Sequence, residues 1–335
     1  MIVRARISIQ TPRNKRHFRK ALFSDQSIDI LMDSLEKIKF DYPEQIYSLS
    51  QISSRKKSEN CIFVGSGDSF VAGLIAEYIS NHKCKCYNPA DLTRSKFIEN
   101  MTDYFISVSG RTRSNIEVAK RATRAGVKTV AVTFDPKSEL ANACNEIISL
   151  KPVMTNTATS YTAFTANVVI CLLLAGMSIP PNFEMWHRNG VALSSRFHHL
   201  CIPKGVLHIL GNDVFYPLAI YTSLKMAEFF GVTSLLYRME EFCHSPLFGI
   251  KPSHTLWILG RTEDITSHKL KNLKNEFNLF ELKNPDSLSE LFEAIFFLQG
   301  FMLLLCKKHN FTELKYVLMK KVLAISSEII YSEAA

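Results

Sequence analysis

The chain has 335 residues, enough for one large domain or two ordinary ones. It is 47% hydrophobic, 11% aromatic and 21% charged, a globular composition that excludes a disordered or low-complexity architecture. Most of the formal net charge of +9 sits in the first twenty residues, where Arg4, Arg6, Arg13, Lys15, Arg16, Arg19 and Lys20 stand without an acid. A basic arm on a nearly neutral body argues against a nucleic-acid-binding face.

The eight cysteines (Cys61, Cys84, Cys86, Cys144, Cys171, Cys201, Cys243 and Cys306) form no CxxC pair and no zinc spacing. The expectation is free thiols in a reducing compartment, the cytoplasm, with Cys61 and Cys171 acting as small hydrophobes inside apolar runs. No signal peptide is visible. The Arg-rich start resembles a mitochondrial transit peptide, but a solvated arm or an oligomer contact is the plainer reading. Ala166 to Met177 is too short to span a membrane, and Leu291 to Cys306 carries Glu293 and Gln299. Both read as buried helices, with no membrane partner.

In chain order, Ile28, Leu31, Leu35 and Ile38 predict a lead-in helix over Ser27 to Phe40. Strands follow at Cys61 to Val64, Tyr104 to Val108, Val127 to Phe134 and Ile147 to Leu150. Helices alternate with them at Phe70 to Ile79, Ile116 to Ala125 and Thr162 to Ala175. Strand, turn and helix in repetition mean parallel strands with crossover helices. A turn-rich, polar stretch from Ile179 to Lys204 interrupts the pattern. It restarts with strands at Val206 to Leu210, Ser234 to Arg238 and Thr255 to Leu259, a helix at Tyr216 to Phe230, one more strand at Phe280 and Leu282, and two C-terminal helices. The chain therefore reads as two α/β units of similar size.

Three strand-to-helix turns carry hydroxyls. Gly65-Ser66-Gly67-Asp68-Ser69 is neither a dinucleotide fingerprint nor a Walker loop, because Phe70 replaces the third glycine and no Gly-Lys-Ser/Thr follows. Ser107-Val108-Ser109-Gly110-Arg111-Thr112 opens the next helix, and Thr155, Thr157, Thr159, Ser160, Tyr161 and Thr162 precede a third. Hydroxyls and backbone N–H groups at helix starts hold a phosphate without a metal. A serine-rich N-cap explains one or two of these residues but not all. One shared anion site at the carboxyl end of a parallel sheet is the expectation.

Gly-x-Ser, then Ser-x-Ser-Gly-x-Thr, then a Ser/Thr-rich entry ending Ala-Phe-Thr resembles the sugar isomerase (SIS) domain family. Two such units in tandem resemble the isomerase half of glucosamine-6-phosphate synthase, SIS-type glucosamine-6-phosphate deaminases and bifunctional phosphoglucose/phosphomannose isomerases. The likeness covers about residues 45 to 330. It implies an α/β fold of two tandem SIS domains, each a parallel sheet flanked by helices in a flavodoxin-like αβα sandwich. The division would be an arm and lead-in helix (1–44), a phosphate-binding domain (45–180), a linker (181–203) and a catalytic domain with C-terminal helices (204–335). Phosphate would be held by Ser69, Ser107, Ser109 and Thr112, and the sugar touched by Gly67, Ser160 and Glu241. Family members often carry an acid near position 155, where this chain has Thr155.

Lys225 and Glu228 share a face of the helix Tyr216 to Phe230; by themselves they read as a surface ion pair. His244 follows Glu228 by sixteen residues, before Ser245-Pro246. The resemblance makes this pair catalytic, since the family places a His-Gly-Pro turn at that spacing, with Ser245 here for the glycine. Glu228 would move the proton between C1 and C2, His244 would open the sugar ring, and Lys225 would steady the oxyanion. In the family the histidine can come from the neighbouring subunit, which implies a homodimer. No metal or organic cofactor is expected. The sequence opens Met1-Ile2 without a glutaminase domain, and Ile329 to Ala335 holds no lysine, so glutamine-dependent amination is not expected. The leading reading is a glucosamine-6-phosphate deaminase/isomerase. The alternatives are a neutral-sugar isomerase acting on glucose or mannose phosphate, and a non-catalytic phosphosugar-binding regulator.

Overall fold

The computed structural model describes residues 60–98, 100–150, 160–260, 278–283 and 288–332, with single positions at Leu35, Ile38, Ile46, Leu49, Lys269, Leu270 and Asn272. The basic arm, most of the expected lead-in helix and the cluster Thr155, Thr157 and Thr159 lie outside the described residues. Within the lead-in helix, Leu35 and Ile38 are helical and buried.

The first half alternates as its pattern requires. Strand β1 (Cys61–Gly65) leads into α1 (Asp68–Ile79), and β2 (Lys85–Tyr87) is followed by the single turn α2 (Pro89–Leu92). Then come β3 (Thr102–Ile106), α3 (Arg113–Arg124), β4 (Lys128–Thr133), α4 (Glu139–Ala143), β5 (Glu146–Ser149) and α5 (Ser160–Leu174). The strands form one parallel sheet in the order β2-β1-β3-β4-β5. Side chains alternate across it. Phe63, Tyr104, Ile106, Val130 and Val132 pack on α1 and α5. Ile62, Val64, Phe105 and Ala131 pack on Ile116, Ala119 and Ala122 of α3 and Leu140 of α4. Both faces are covered, which is why the strands read as continuous apolar runs.

The second half begins with a correction. The stretch expected to be a linker contains the helix α6 (Phe183–Ser195), buried along Phe183, Trp186, Gly190 and Ser194. Next are β6 (Leu207–Gly211), α7 (Phe215–Phe230), β7 (Ser234–Tyr237) and α8 (Met239–His244), the last followed by a short 3-10 turn, Pro246–Gly249. The chain continues through β8 (Thr255–Gly260), β9 (Asn278–Lys283), α9 (Leu288–Lys308), α10 (Lys315–Leu318) and α11 (Lys320–Ile330). Among the described residues, three C-terminal helices, one of them a single turn, stand where two were expected. The sheet is parallel in the order β7-β6-β8-β9. Leu207, Ile209, Trp257 and Leu259 face α7 and α9, and Leu210, Leu256 and Ile258 face Met239 and Phe242 of α8.

One core joins the two sheets, running from Phe63 and Val71 through α5 to α7, α9 and Leu314. At 21 residues α9 is long and apolar enough to cross a membrane by length and composition, yet Phe292, Phe296, Phe297 and Phe301 are fully buried. Its Gln299 earns its place in the apolar run. The side-chain amide nitrogen donates to Thr165 Oγ1 (3.0 Å) and Tyr221 OH (3.3 Å), and the Gln299 backbone carbonyl accepts from Tyr161 OH (3.0 Å). That network ties α5, α7 and α9 together with most of its buried polar atoms partnered.

Candidate functional site

Strand order reverses between β1 and β3, so the loops after both strands open at the sheet's switch point. Gly65 pairs with Ile106 in register, which starts the two loops side by side.

The β1 loop turns on Gly67, at φ +56, with open space where a side chain would project. Asp68 is the first residue of α1, where the helix dipole favours an anion. Ser69 is buried, and its hydroxyl accepts from Asn167 Nδ2 of α5 at 3.4 Å. In the β3 loop, Ser107 Oγ and Thr112 Oγ1 stand 3.0 Å apart, and Ser109 Oγ accepts from the Arg111 N–H at 3.3 Å. Gly110 takes φ +65 and packs so closely that a Cβ there would overlap the Ser138 hydroxyl. Only glycine satisfies both demands.

The second half reaches the β1 loop through α7. Lys225 is fully buried, and its ammonium donates to Asp68 Oδ2 at 2.8 Å and to Glu228 Oε2 at 2.7 Å. The two carboxylates come from different halves of the chain, 157 residues apart for Lys225 and Asp68. Burial opposes the Lys225 charge, but Asp68 and Glu228 outweigh it and hold the ammonium above the ordinary lysine range. Burial pushes the Glu228 carboxyl up, Lys225 pulls it down and Asp68 pushes it up again, leaving it above the usual carboxylate range. Glu228 keeps 35% of its side chain exposed, so the carboxylate is reachable from outside. Tyr316 of α10 stands within the field of Glu228; burial first, then the Glu228 charge, raise its phenol.

Tyr331 and Ser332 lie across the β3 loop. Tyr331 bridges Thr112 in antiparallel fashion, Ser332 N–H donates to Arg111 O (2.9 Å), and Arg113 Nε donates to Tyr331 O (2.5 Å).

The expected residues thus fall into three groups. Gly67, Ser69, Lys225 and Glu228 meet around the β1 loop, and Ser107, Ser109 and Thr112 line the neighbouring loop. Ser160 begins α5, and its side chain is outside the described residues. His244 and Glu241 do not join them within the subunit. His244 is the last residue of α8 rather than part of a turn; it is 77% exposed and lies 3.8 Å from Glu240 Oε1. Glu241 is exposed and lies 3.6 Å from Arg238. Among the described residues, neither has a polar contact with Lys225, Glu228 or Asp68. Asp68, Asn167 and Tyr316 were not singled out from sequence. Asp68 sits inside a motif already marked, but nothing local announces a partner on α7.

No family model matches the chain. It is 25% identical over 254 residues to the glutamine–fructose-6-phosphate aminotransferase (isomerizing) of Helicobacter pylori J99, an alignment covering 66% of this chain and 40% of that protein. The corresponding enzyme of Caldanaerobacter subterraneus is 23% identical over 247 residues, with 65% of this chain and 40% of that protein covered. The chain therefore spans about two fifths of the length of the curated relatives it matches. Among solved structures, the C-terminal domain of glucosamine-fructose-6-phosphate aminotransferase from Francisella tularensis superposes with a TM-score of 0.62 at 16% identity, covering 82% of this chain and 93% of that one. Glucosamine-6-phosphate deaminase from Thermotoga maritima gives 0.64 at 14% identity, with 82% and 93% covered. With hydroxyl-bearing loops at a parallel switch point, the chain has the fold of the C-terminal domain of glucosamine-fructose-6-phosphate aminotransferase, and about two thirds of it is similar in sequence to enzymes of that name.

Proposed function

We propose that the protein is a phosphosugar isomerase/deaminase that converts glucosamine 6-phosphate and water to fructose 6-phosphate and ammonia. The observation that carries this reading is Glu228: a reachable carboxylate of raised pKa, held by a buried lysine beside a hydroxyl-bearing phosphate loop. In this reading the phosphate sits on Ser69, Ser107, Ser109 and Thr112, at the N-termini of α1 and α3. Glu228 takes the C2 proton of the open-chain amino sugar and returns it to C1 through an enolamine. Water then hydrolyses the C2 imine, releasing ammonia and leaving the ketone. Lys225 holds Glu228 in place and offsets charge developing on the substrate oxygen. Ring opening is assigned to His244, whose exposure on α8 suits delivery from a second copy in a homodimer.

The test is an assay of purified protein with glucosamine 6-phosphate, following ammonia and fructose 6-phosphate together. Both products in equal amounts support the reading. Interconversion of fructose 6-phosphate with glucose or mannose 6-phosphate, without ammonia from the amino sugar, replaces it with a neutral isomerase. Binding without turnover replaces it with a phosphosugar sensor. In Glu228→Gln, turnover should drop by about 10²- to 10⁴-fold while phosphosugar binding persists.

A further inference from the structure

We propose that Asp68 is a positioning residue for the base: it holds one side of the Lys225 ammonium, fixes that lysine against Glu228, and denies Glu228 sole possession of the charge. The proposal rests on the reading of Glu228 as the base.

Three facts of geometry lead there. Lys225 has no exposed surface, so its ammonium depends on protein partners, and the two found are Asp68 and Glu228. One cation between two carboxylates leaves the trio a net negative charge, so one of the acids is held less firmly than the other. Their places in the helices decide which. Asp68 opens the 12-residue α1, at the positive end of its dipole. Glu228 lies in the last turn of α7, at the negative end, where an anion is disfavoured. Glu228 is therefore the carboxylate placed to accept a proton. Asp68 Oδ1 is buried without a hydrogen-bond partner, and the carboxylate is held through Oδ2 by Lys225.

The charged and titratable groups around Glu228 can be named. They are Lys225 on its own helix, Asp68 on α1 and Tyr316 on α10, with Glu313 and Tyr331 beyond the tyrosine. Asp68 and Lys225 are the two bound into one ion cluster with it. Because Asp68 adjoins Ser69, the same loop carries the phosphate ligand and the anchor of the base. A substrate seated by its phosphate thus meets Glu228 in fixed register.

The test compares the full chain with Asp68→Asn, and with Asp68→Ser, which keeps a hydroxyl at the start of α1 should the amide disturb folding. The first reading is the Glu228 carboxyl titration, followed by carbon-13 NMR without substrate and assigned with Glu228→Gln. The Glu228 midpoint should fall by about one pH unit, a tenfold change in proton affinity, because Lys225 then serves Glu228 alone. The second reading is turnover of glucosamine 6-phosphate. Here kcat should fall about tenfold with KM nearly unchanged, and the acidic limb of the kcat profile should move to lower pH. An unchanged Glu228 midpoint in both variants overturns the proposal, as does a loss confined to KM. The substrate-free titration decides the Asp68 question even if the amino sugar is not turned over, so failure of the functional reading shows separately.

Discussion

At the scale of single residues, the structure withdraws the Lys225 ammonium fully from water and holds it between two partly exposed carboxylates. Lys225→Met would leave Asp68 and Glu228 facing each other without a cation. Breaking a buried pair in this way costs about 3 to 5 kcal/mol, read as a loss of unfolding free energy in denaturant at pH 7. The loss should shrink as the pH falls and the carboxylates take up protons. Asp103 on β3 is a separate case. It is 1% exposed, neither carboxylate oxygen has a partner, and burial raises its pKa from 3.8 to about 6. A raised carboxylic pKa means the fold prefers the protonated form. Its contribution is complete below about pH 4 and is lost as the pH rises through about 6, a difference of about 3 kcal/mol. Asp103→Asn should therefore unfold at higher denaturant than the parent at pH 8 and near the same concentration at pH 4. An equal midpoint at pH 8 would show that Asp103 finds a partner in solution.

At the scale of elements, α6 and α9 pack closely because Gly190 lets them. A Cβ at Gly190 would come within 2.6 Å of Glu293 O and 2.8 Å of the Phe297 N, both backbone atoms that cannot swing aside. Gly190→Ala should cost about 1 to 3 kcal/mol through forced separation of the helices, measured by denaturant unfolding. The same helix shows what the sequence hides. Its buried stripe is Phe183, Trp186, Gly190 and Ser194, and half of those residues are small. Hydrophobic periodicity therefore fades, and the preceding Pro180-Pro181 suggests a linker. The central strands were legible for the opposite reason: β1, β3, β4, β6 and β8 are covered on both faces, so apolar residues fill most of their positions. Strand β2, three residues long and half-buried, carries too little pattern to read. The hydroxyl loops were legible because their spacing is local. The Lys225–Asp68 contact was not, because it joins positions 157 residues apart.

At the scale of the whole molecule, one continuous core and one ion cluster bind the two sheets. Phe63 of the first sheet and Trp257 of the second belong to the same buried assembly. The halves should therefore unfold in one cooperative transition rather than two, seen as coincident near-ultraviolet and far-ultraviolet circular dichroism curves. Two resolved transitions would mean that the interface is weaker than its packing suggests. The arrangement gives each half a distinct task in the proposed reaction: the first sheet's loops hold the phosphate, and α7 carries the base to them. The measurement that tests this most directly is turnover of glucosamine 6-phosphate in deuterium oxide, with the product followed by proton NMR. Fructose 6-phosphate should carry deuterium at C1, because the proton held by Glu228 exchanges with solvent before its return, and ammonia should be released alongside. Glu228→Gln should bind the amino sugar phosphate yet form product and label about 10²- to 10⁴-fold more slowly. Labelled product from Glu228→Gln at the parent rate would contradict the account, as would no product from the parent protein.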